Sequence, residues 1–269
     1  MNRVEIIVVG REILVGRTRD TNSNWIARRV ASLGGRTSRI VAVDDDVQSI
    51  AKEIRTGRSN RARVIITIGG LGPTADDKTL AAVAEATGTP LELDIEALEF
   101  VRKRYGFFKD HGFVDSDKMT ASRKKMALLP VGSRILRNSV GAAPGVHLDL
   151  KTLSLFCVPG VPEEMEAIFE EEMVDTLKGI FGKNVFLEKT ITTTLKDESL
   201  LADILNRVMK DIPRVYLKSR PTHFGRNVNL NVTISVTGDN RGDVEREIRR
   251  AVLRIRKGIR EETAPRSGH

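Results

Sequence analysis

Short apolar runs alternate with amphipathic helical patterns over residues 4–68, and this rhythm limits the possible folds. The runs at 4–9 and 64–68 have the unbroken hydrophobicity of strands buried on both faces of a parallel sheet. Between them, a helical pattern at 22–33 precedes a third strand at 39–43, and a second helical pattern after that strand ends at about Arg58. A βαβαβ order of this kind predicts an α/β fold, a three-layer α/β/α sandwich.

The pattern continues to about residue 182, which we predict as the end of an N-terminal domain, 1–182. We expect a helix from about Lys78 to Ala86, a helical insertion over 94–126, and a further helix from Pro162. Strands are predicted at 134–136, 145–148 and 153–158. The role of the insertion is left open by the sequence.

Charge marks a second domain. Residues 183–269 hold 18 basic and 11 acidic side chains, a net charge of +7 out of +8 for the whole chain. The order of patterns there is β-α-β-β-α, which predicts a smaller α/β plait over 183–262. Residues 263–269 are polar and contain Gly and Pro, as in a loose tail.

Composition excludes several classes of protein. With 269 residues, 40% of them hydrophobic, the chain is too apolar to be disordered. No apolar run approaches the roughly 20 residues that span a bilayer, and the start lacks the shape of a cleavable signal, so we expect a cytoplasmic protein without a membrane partner. One cysteine and four scattered histidines exclude a disulfide scaffold and a familiar zinc module.

The most informative stretch is a glycine-rich loop that follows the strand at 64–68. Gly69, Gly70 and Gly72 let backbone N–H groups point into one concavity, and the next helix adds its positive end, which together suit a phosphate. Asp76 and Asp77 open that helix and could hold a divalent cation against the phosphate. The structural alternative is that Thr74 and Asp77 merely cap the helix.

Two common nucleotide-binding loops do not fit. Five residues separate Gly10 from Gly16, and Arg17-Thr18 follows, so the spacing and lysine of a Walker loop are missing. The first strand is not followed by Gly-x-Gly-x-x-Gly either. Kinase and nicotinamide-dehydrogenase functions are therefore disfavoured.

Several motifs occur in one order along residues 3–180. They are Gly10-Arg11-Glu12-Ile13-Leu14-x-Gly16, Asp20-Thr21-Asn22, Gly69-Gly70-Leu71-Gly72-Pro73-Thr74-x-Asp76-Asp77-x-Thr79, Arg123-Lys124, Asn138-Ser139-Val140-Gly141-x-Ala143-Pro144-Gly145 and Pro159-Gly160-Val161-Pro162-x-Glu164-Met165. The set resembles the N-terminal module of the CinA (competence/damage-inducible protein A) family, which has the fold of the MoaB/Mog molybdopterin-binding domains. The domain at 183–262 resembles the KH-like plait that follows this module in many members. The chain leaves no room for the family's amidase domain, so we do not expect amidase activity.

The resemblance implies two small-molecule functions. One is metal-dependent hydrolysis of the diphosphate of an adenylated nucleotide such as ADP-ribose, or of FAD, with magnesium, manganese or cobalt. The other is binding of molybdopterin during assembly of the molybdenum cofactor. The nucleotide or pterin ligand carries phosphate beside a flat heterocycle in both cases, and the family's usual association implies a homodimer.

For the hydrolase, Asp77 and then Asp76 are the catalytic and metal-binding candidates, with Glu12 as a third carboxylate. Substrate-binding candidates are Gly69, Gly70, Gly72, Thr74, Asp20, Asn22, Ser139, Gly141 and Lys124. Arg11 departs from the small or acidic residue usual in the family, and this could alter the charge of the pocket. Glu163 and Glu164 fit the start of a helix for its own sake, so we expect a structural role for them.

A third hypothesis is an interaction module that binds nucleic acid or protein through the basic C-terminal domain. Its last helix is rich in arginine, which favours this hypothesis. The Gly-x-x-Gly clamp of RNA-binding KH modules is missing, however, and aromatics for base stacking are few, Tyr216 and Phe224 being the main ones. Nucleic acid is therefore an unfavoured partner.

Overall fold

The computed structural model describes residues 2–195, 197–221 and 229–263. The chain divides into two compact units. The first unit contains the chain up to Ala31 and Gly35–Phe181, and the second unit contains Ser32–Gly34 and the chain from Gly182 onward. Within the described residues, no helix is both long and apolar enough to cross a membrane.

Helices and strands alternate through the first unit. In chain order they are β1 (Arg3–Val9), α1 (Arg11–Leu14), α2 (Asn22–Ser32), β2 (Arg36–Val43), α3 (Val47–Ser59), β3 (Val64–Ile68), α4 (Thr79–Thr87), β4 (Leu91–Leu93), α5 (Ile95–Asp110), α6 (Ala121–Lys125), β5 (Leu128–Pro130), β6 (Ser133–Leu136), β7 (Gly145–Asp149), β8 (Ser154–Val158), α7 (Pro162–Ile168), a π-helical segment (Phe169–Met173) and α8 (Val174–Phe181). The main sheet has six strands in the order β2-β1-β3-β8-β7-β6. β2, β1, β3 and β8 are parallel, whereas β7 and β6 run antiparallel to their neighbours.

Helices cover both faces of this sheet. Successive side chains of a strand point to opposite faces, so unbroken apolar strands need cover on both. Ile7 and Val9 of β1 belong to a core cluster with buried side chains of α3, α4 and α5. Ile26 of α2 and Phe169 of the π-helical segment are buried outside that cluster. Trp25 meets Phe169 edge-on, with 5.3 Å between the ring centroids. The predicted α/β fold with a mainly parallel central sheet is confirmed.

Three elements of the first unit differ from the sequence prediction. The four-residue helix α1 follows β1 directly, where only a loop was expected. β4 and β5 pair antiparallel on either side of the insertion, and within the insertion only α5 and α6 are helical. The helix predicted from Pro162 is interrupted by the π-helical segment. Each of these elements is too short for a hydrophobic period to show.

The second unit contains β9 (Val185–Thr193), α9 (Glu198–Asp211), β10 (Val215–Pro221), β11 (Leu230–Gly238) and α10 (Arg241–Thr263). Its three strands form an antiparallel sheet in the order β10-β11-β9. Buried residues of both helices and of β10 and β11 share one core cluster, and partly buried residues of β9 pack against it. Thr263 is the last residue of α10, so the loose tail predicted from residue 263 is wrong at its first position, and 264–269 lie outside the described residues. Phe224 also lies outside them.

Candidate functional site

A cleft of about 480 Å³ opens at the carboxyl ends of three parallel strands. Val9 ends β1, Gly69 follows β3, and Pro159 follows β8, and all three line the cleft. β1 lies between β2 and β3 in the sheet. The chain therefore adds β2 on one side of β1 and then β3 on the other, so that the strand order reverses here. Such a switch point is where open α/β sheets bind ligands.

The glycine-rich loop after β3 is held close to the strand ends. Gly69 and Gly70 have φ values of 99° and 69°, a region that favours glycine. A Cβ on Gly69 would lie 2.5 Å from the carbonyl oxygen of Val9. The buried Thr79 hydroxyl donates to the carbonyl oxygen of Gly69 at 2.7 Å, and the Thr79 amide donates to that of Gly70 at 3.2 Å. The first residue of α4 therefore fixes the loop.

Three consecutive backbone amides of the loop are available to a ligand. Among the residues that the structure describes, the N–H groups of Gly70, Leu71 and Gly72 donate no hydrogen bond. The amide of Gly69, by contrast, donates to the carbonyl oxygen of Val158 at 2.9 Å. All of these glycines line the cleft, beside the start of the nine-residue helix α4. Free amides at a helix start form an anion-binding site.

Asp76 and Asp77 meet at Thr74. Oδ2 of Asp77 accepts from the Thr74 amide at 2.8 Å and lies 2.6 Å from the Thr74 hydroxyl, which is also hydrogen-bonded to Oδ1 of Asp76. The helix begins only at Thr79, after Lys78, so the capping alternative for Thr74 and Asp77 is wrong. Both carboxylates line the cleft, whereas exposed Thr74 does not. The hydrogen bond from Thr74 holds the pKa of Asp76 below its ordinary value.

The basic group at the site is Lys125. Its half-buried side chain lines a smaller cavity that adjoins the cleft and shares Gly70, Gly72 and Asp77 with it, and its Nζ contacts the Thr74 carbonyl oxygen. Lys124, the predicted contact, is exposed and lies outside the lining of both cavities. Neighbouring helical residues point about 100° apart, and so one position decides which lysine faces the site.

Helix α1, directly after β1, brings Glu12 to the cleft. Its carboxylate folds back over Gly10, since a Cβ on Gly10 would lie 2.5 Å from Oε1 of Glu12. Asp20 and Asn22 line a neighbouring small cavity, which also contains Glu12. Nδ2 of Asn22 donates to the carbonyl oxygen of Gly160 at 2.7 Å, while Asp20 accepts from the Ser23 amide at 2.9 Å. Asn22 thus joins the start of α2 to the loop after β8, while Asp20 bonds within its own segment.

Buried Asn138 shapes the loop between β6 and β7. Its Oδ1 accepts from the Gly141 amide at 2.8 Å, and its Nδ2 donates to Oε2 of Glu164 at 2.6 Å. The Gly141 amide is therefore already used, and the Ser139 hydroxyl is hydrogen-bonded to Glu171 at 2.9 Å. Ala142 and Ala143 line the cleft in place of Ser139 and Gly141.

Sequence reasoning missed three residues with polar side chains that line the cleft, namely Asp45, Tyr105 and Glu164. Asp45 accepts from the Arg11 amide at 2.8 Å. Burial raises the pKa of Glu164 above its ordinary value, against a smaller lowering by the hydrogen bond from Asn138. An acidic residue in the first turn of a helix is expected for structural reasons alone, so nothing in the sequence indicated that Glu164 of α7 also faces the cleft.

The charge of the cleft is strongly negative. The carboxylates among the described lining residues are Glu12, Asp45, Asp76, Asp77 and Glu164, and this lining includes neither lysine nor arginine. Nowhere in residues 2–195, 197–221 and 229–263 do three or more His, Cys, Asp or Glu side chains form a set that could hold a metal ion by itself. The donor set does fit Mg²⁺, which proteins usually hold by one or two carboxylates together with phosphate oxygens of a ligand.

Comparison with known proteins gives consistent matches. Residues 5–179 match a family described as a probable molybdopterin binding domain. A protein of Pyrococcus horikoshii is 39% identical over 226 residues, covering 84% of this chain and 87% of that protein. A protein of Aeropyrum pernix is 44% identical over 220 residues, covering 81% and 79%. The crystal structure of the protein CinA with unknown function from Thermoplasma acidophilum matches with a TM-score of 0.60 at 34% identity, covering 65% of this chain and 98% of that one.

Proposed function

The chain belongs to the family of probable molybdopterin-binding domains, and from this premise we propose that its cleft binds a pterin that carries phosphate, of the molybdopterin type. The observation that carries the proposal is the row of three free amides at Gly70, Leu71 and Gly72. They lie at the start of α4, where the helix dipole adds attraction for an anion. The phosphate of the ligand is assigned to this row.

Phosphate binding in this cleft needs compensation for charge. Asp76 and Asp77 line the same cleft as the free amides, and their carboxylates would repel a phosphate bound there. A divalent cation, when bound between them and the phosphate, would neutralise this repulsion. Lys125 supplies a further positive charge from the adjoining cavity. We therefore expect the affinity for phosphate ligands to depend on magnesium, manganese or cobalt.

A second candidate function is hydrolysis of the diphosphate of ADP-ribose or FAD. The pairing of Asp76 with Asp77 at Thr74 favours it, because two adjacent carboxylates, both hydrogen-bonded to the Thr74 hydroxyl, can hold a divalent ion and orient water. Water would attack one phosphorus, the bridging P–O bond would break, and the bridging oxygen would leave with the other phosphate. ADP-ribose would give AMP and ribose 5-phosphate.

One experiment tests both candidates. The purified protein is titrated calorimetrically with 6-hydroxymethylpterin diphosphate in magnesium, manganese, cobalt or a chelator, and AMP release from ADP-ribose and FAD is followed in parallel. Asp77→Asn should lose the metal-dependent binding, and Asp239→Asn, an exposed aspartate of the second unit, serves as the matched control. Binding without AMP release supports the pterin-binding function, and metal-dependent AMP release supports the hydrolase. Failure to bind and to hydrolyse under every metal rejects both.

A further inference from the structure

The helical insertion contributes an aromatic side chain to the cleft. Tyr105, on α5, lines the cleft and packs against the core cluster of the first unit. Among the described residues of the lining, Tyr105 is the only aromatic one. Met126 and Leu71 line the cleft as well, so its wall has an apolar part in addition to its acidic part.

Arg123 holds the tyrosine ring in place. Its guanidinium carbon lies 3.7 Å from the centroid of the Tyr105 ring, the distance of a close cation–π contact. Nη1 of Arg123 donates to the carbonyl oxygens of Ser116 and Lys118, at 2.7 and 2.9 Å. Both partners of the stack are therefore fixed before a ligand arrives. Arg123 is engaged with Tyr105 and these two carbonyl groups.

We propose that Tyr105, held by Arg123, is the stacking platform for the flat heterocycle of the ligand. This inference rests on the proposed function, since it requires the phosphate to lie at Gly70–Gly72. The cleft then offers amide donors for the phosphate and an aromatic surface for the ring. A preformed platform loses little conformational entropy on binding, because the ring has few torsions to fix.

The chemistry recognised is that of a bicyclic heteroaromatic ring joined to phosphate, which pterin and adenine share. Stacking alone tolerates either ring, since each has a π face. The test therefore compares 6-hydroxymethylpterin diphosphate and ADP-ribose with inorganic pyrophosphate, which has no ring. The variants are Tyr105→Ala and Tyr105→Phe, and the matched control is Tyr216→Ala, at the other tyrosine, which is exposed on β10.

Calorimetric titration in magnesium should show that Tyr105→Ala weakens binding of the ring-bearing probes about tenfold or more, while pyrophosphate affinity is unchanged. Tyr105→Phe and Tyr216→Ala should bind all probes as the wild type does. Quenching of pterin fluorescence on binding should disappear in Tyr105→Ala alone. A larger loss for pterin diphosphate than for ADP-ribose would identify pterin as the preferred ring.

Two results overturn the assignment. Equal weakening of pyrophosphate and pterin diphosphate in Tyr105→Ala would show that Tyr105 only supports the shape of the cleft. Equal affinity of the wild type for pyrophosphate and both ring-bearing probes would show that no ring is recognised, while the phosphate site stands. Failure of the wild type to bind any of the probes would instead reject the proposed function, and the platform with it.

Discussion

Asp77 is confined by two neighbours, and both matter to its role. Its Oδ2 is hydrogen-bonded to the amide of Thr74 at 2.8 Å, and a Cβ on Gly72 would lie 2.7 Å from the same oxygen. Gly72 does not have a positive φ, so alanine fits its backbone conformation. Glycine at position 72 therefore leaves the space that the Asp77 carboxylate occupies.

We expect Gly72→Ala to displace the Asp77 carboxylate and weaken metal-dependent diphosphate binding about tenfold, the loss of roughly one hydrogen bond to a charged group. Stability should change little. Gly179→Ala, on α8 with open space around its Cβ, is the control and should bind as the wild type. Calorimetric titration with pyrophosphate measures the effect. Unchanged affinity in Gly72→Ala would mean that the position of Asp77 is unimportant.

His147 is a buried histidine outside the cleft. Its ring stacks on Phe156 at 4.2 Å, and its Nδ1 accepts from Nε of Arg134 at 3.2 Å, so the neutral ring carries its proton on Nε2. Within the described residues Nε2 is buried without a partner. Burial, followed by the charge of Arg134, lowers the pKa of His147 to about 4.

This histidine should make the protein less stable in acid. Between pH 6.5 and 4 the unfolded chain takes up a proton on His147 and the folded chain does not, so stability is lost as the pH falls, by up to about 3 kcal/mol. Above pH 6.5 the residue has no such effect. Urea unfolding across this range should show a smaller loss in His147→Gln than in the wild type. His111→Gln, at an exposed histidine, is the matched control.

Local pattern predicts part of the site and topology provides the rest. Gly70, Gly72, Asp76 and Asp77 adjoin one another in sequence, so a single stretch predicted that they act together. Glu164 is brought to the same cleft from a separate strand end. The strand order brings these distant residues together, so their proximity cannot be predicted from any short stretch of the sequence.

At the scale of elements, the junction of β3 and α4 joins the sheet to the site. Buried Thr79 donates its hydroxyl to Gly69 and its amide to Gly70. We expect Thr79→Val to destabilise the protein by about 1–3 kcal/mol, because the buried Gly69 carbonyl loses this donor while shape is conserved. Thr79→Ser keeps the hydroxyl and should lose less. Urea denaturation midpoints compare the two, and equal losses would count against the hydrogen bond.

Long periodic elements were predictable and short ones were not. The predicted strand 64–68 coincides with β3. The helix expected from about Lys78 to Ala86 is α4, Thr79–Thr87, and Gly88 after it has the left-handed conformation. β4 has only three residues and pairs with β5 across the whole insertion. Its pairing depends on a contact distant in sequence, which periodicity does not detect.

At the scale of the whole molecule, the resemblance to CinA and to the molybdopterin-binding domains is confirmed by the family match and by the CinA structure. The KH-like assignment of the second unit stays a prediction, as does the homodimer. All described residues that line the cleft belong to the first unit. The proposed small-molecule function therefore concerns the first unit.

The basic surface of the second unit is partly neutralised. Arg241 and Arg249 pair with Glu245, Arg246 pairs with Asp243, and Arg254 pairs with Asp211. Such exposed pairs stabilise the fold little, but they lower the positive charge that α10 presents to a polyanion.

We expect random RNA to bind weakly, with a Kd on the order of 10⁻⁴ M at physiological salt. Glu245→Gln releases two arginines and should tighten binding and steepen its dependence on salt. Lys218→Gln, on β10, tests whether the sheet contributes instead. Fluorescence anisotropy with a labelled oligonucleotide measures these affinities. Sub-micromolar affinity of the wild type would return nucleic acid to the favoured partners.

The π-helical segment Phe169–Met173 has a consequence for tolerance to insertions and deletions. One extra residue in a turn rotates the side chains on its two sides by about 100° relative to each other. Glu164 before the segment faces the cleft, while Phe169, Met173 and Leu177 are buried. Removing one residue there would give a regular α-helix, but it would rotate Glu164 by about 100° relative to the buried residues that follow the segment. A single-codon deletion should therefore be worse tolerated here than in α3, even though it yields the more regular helix.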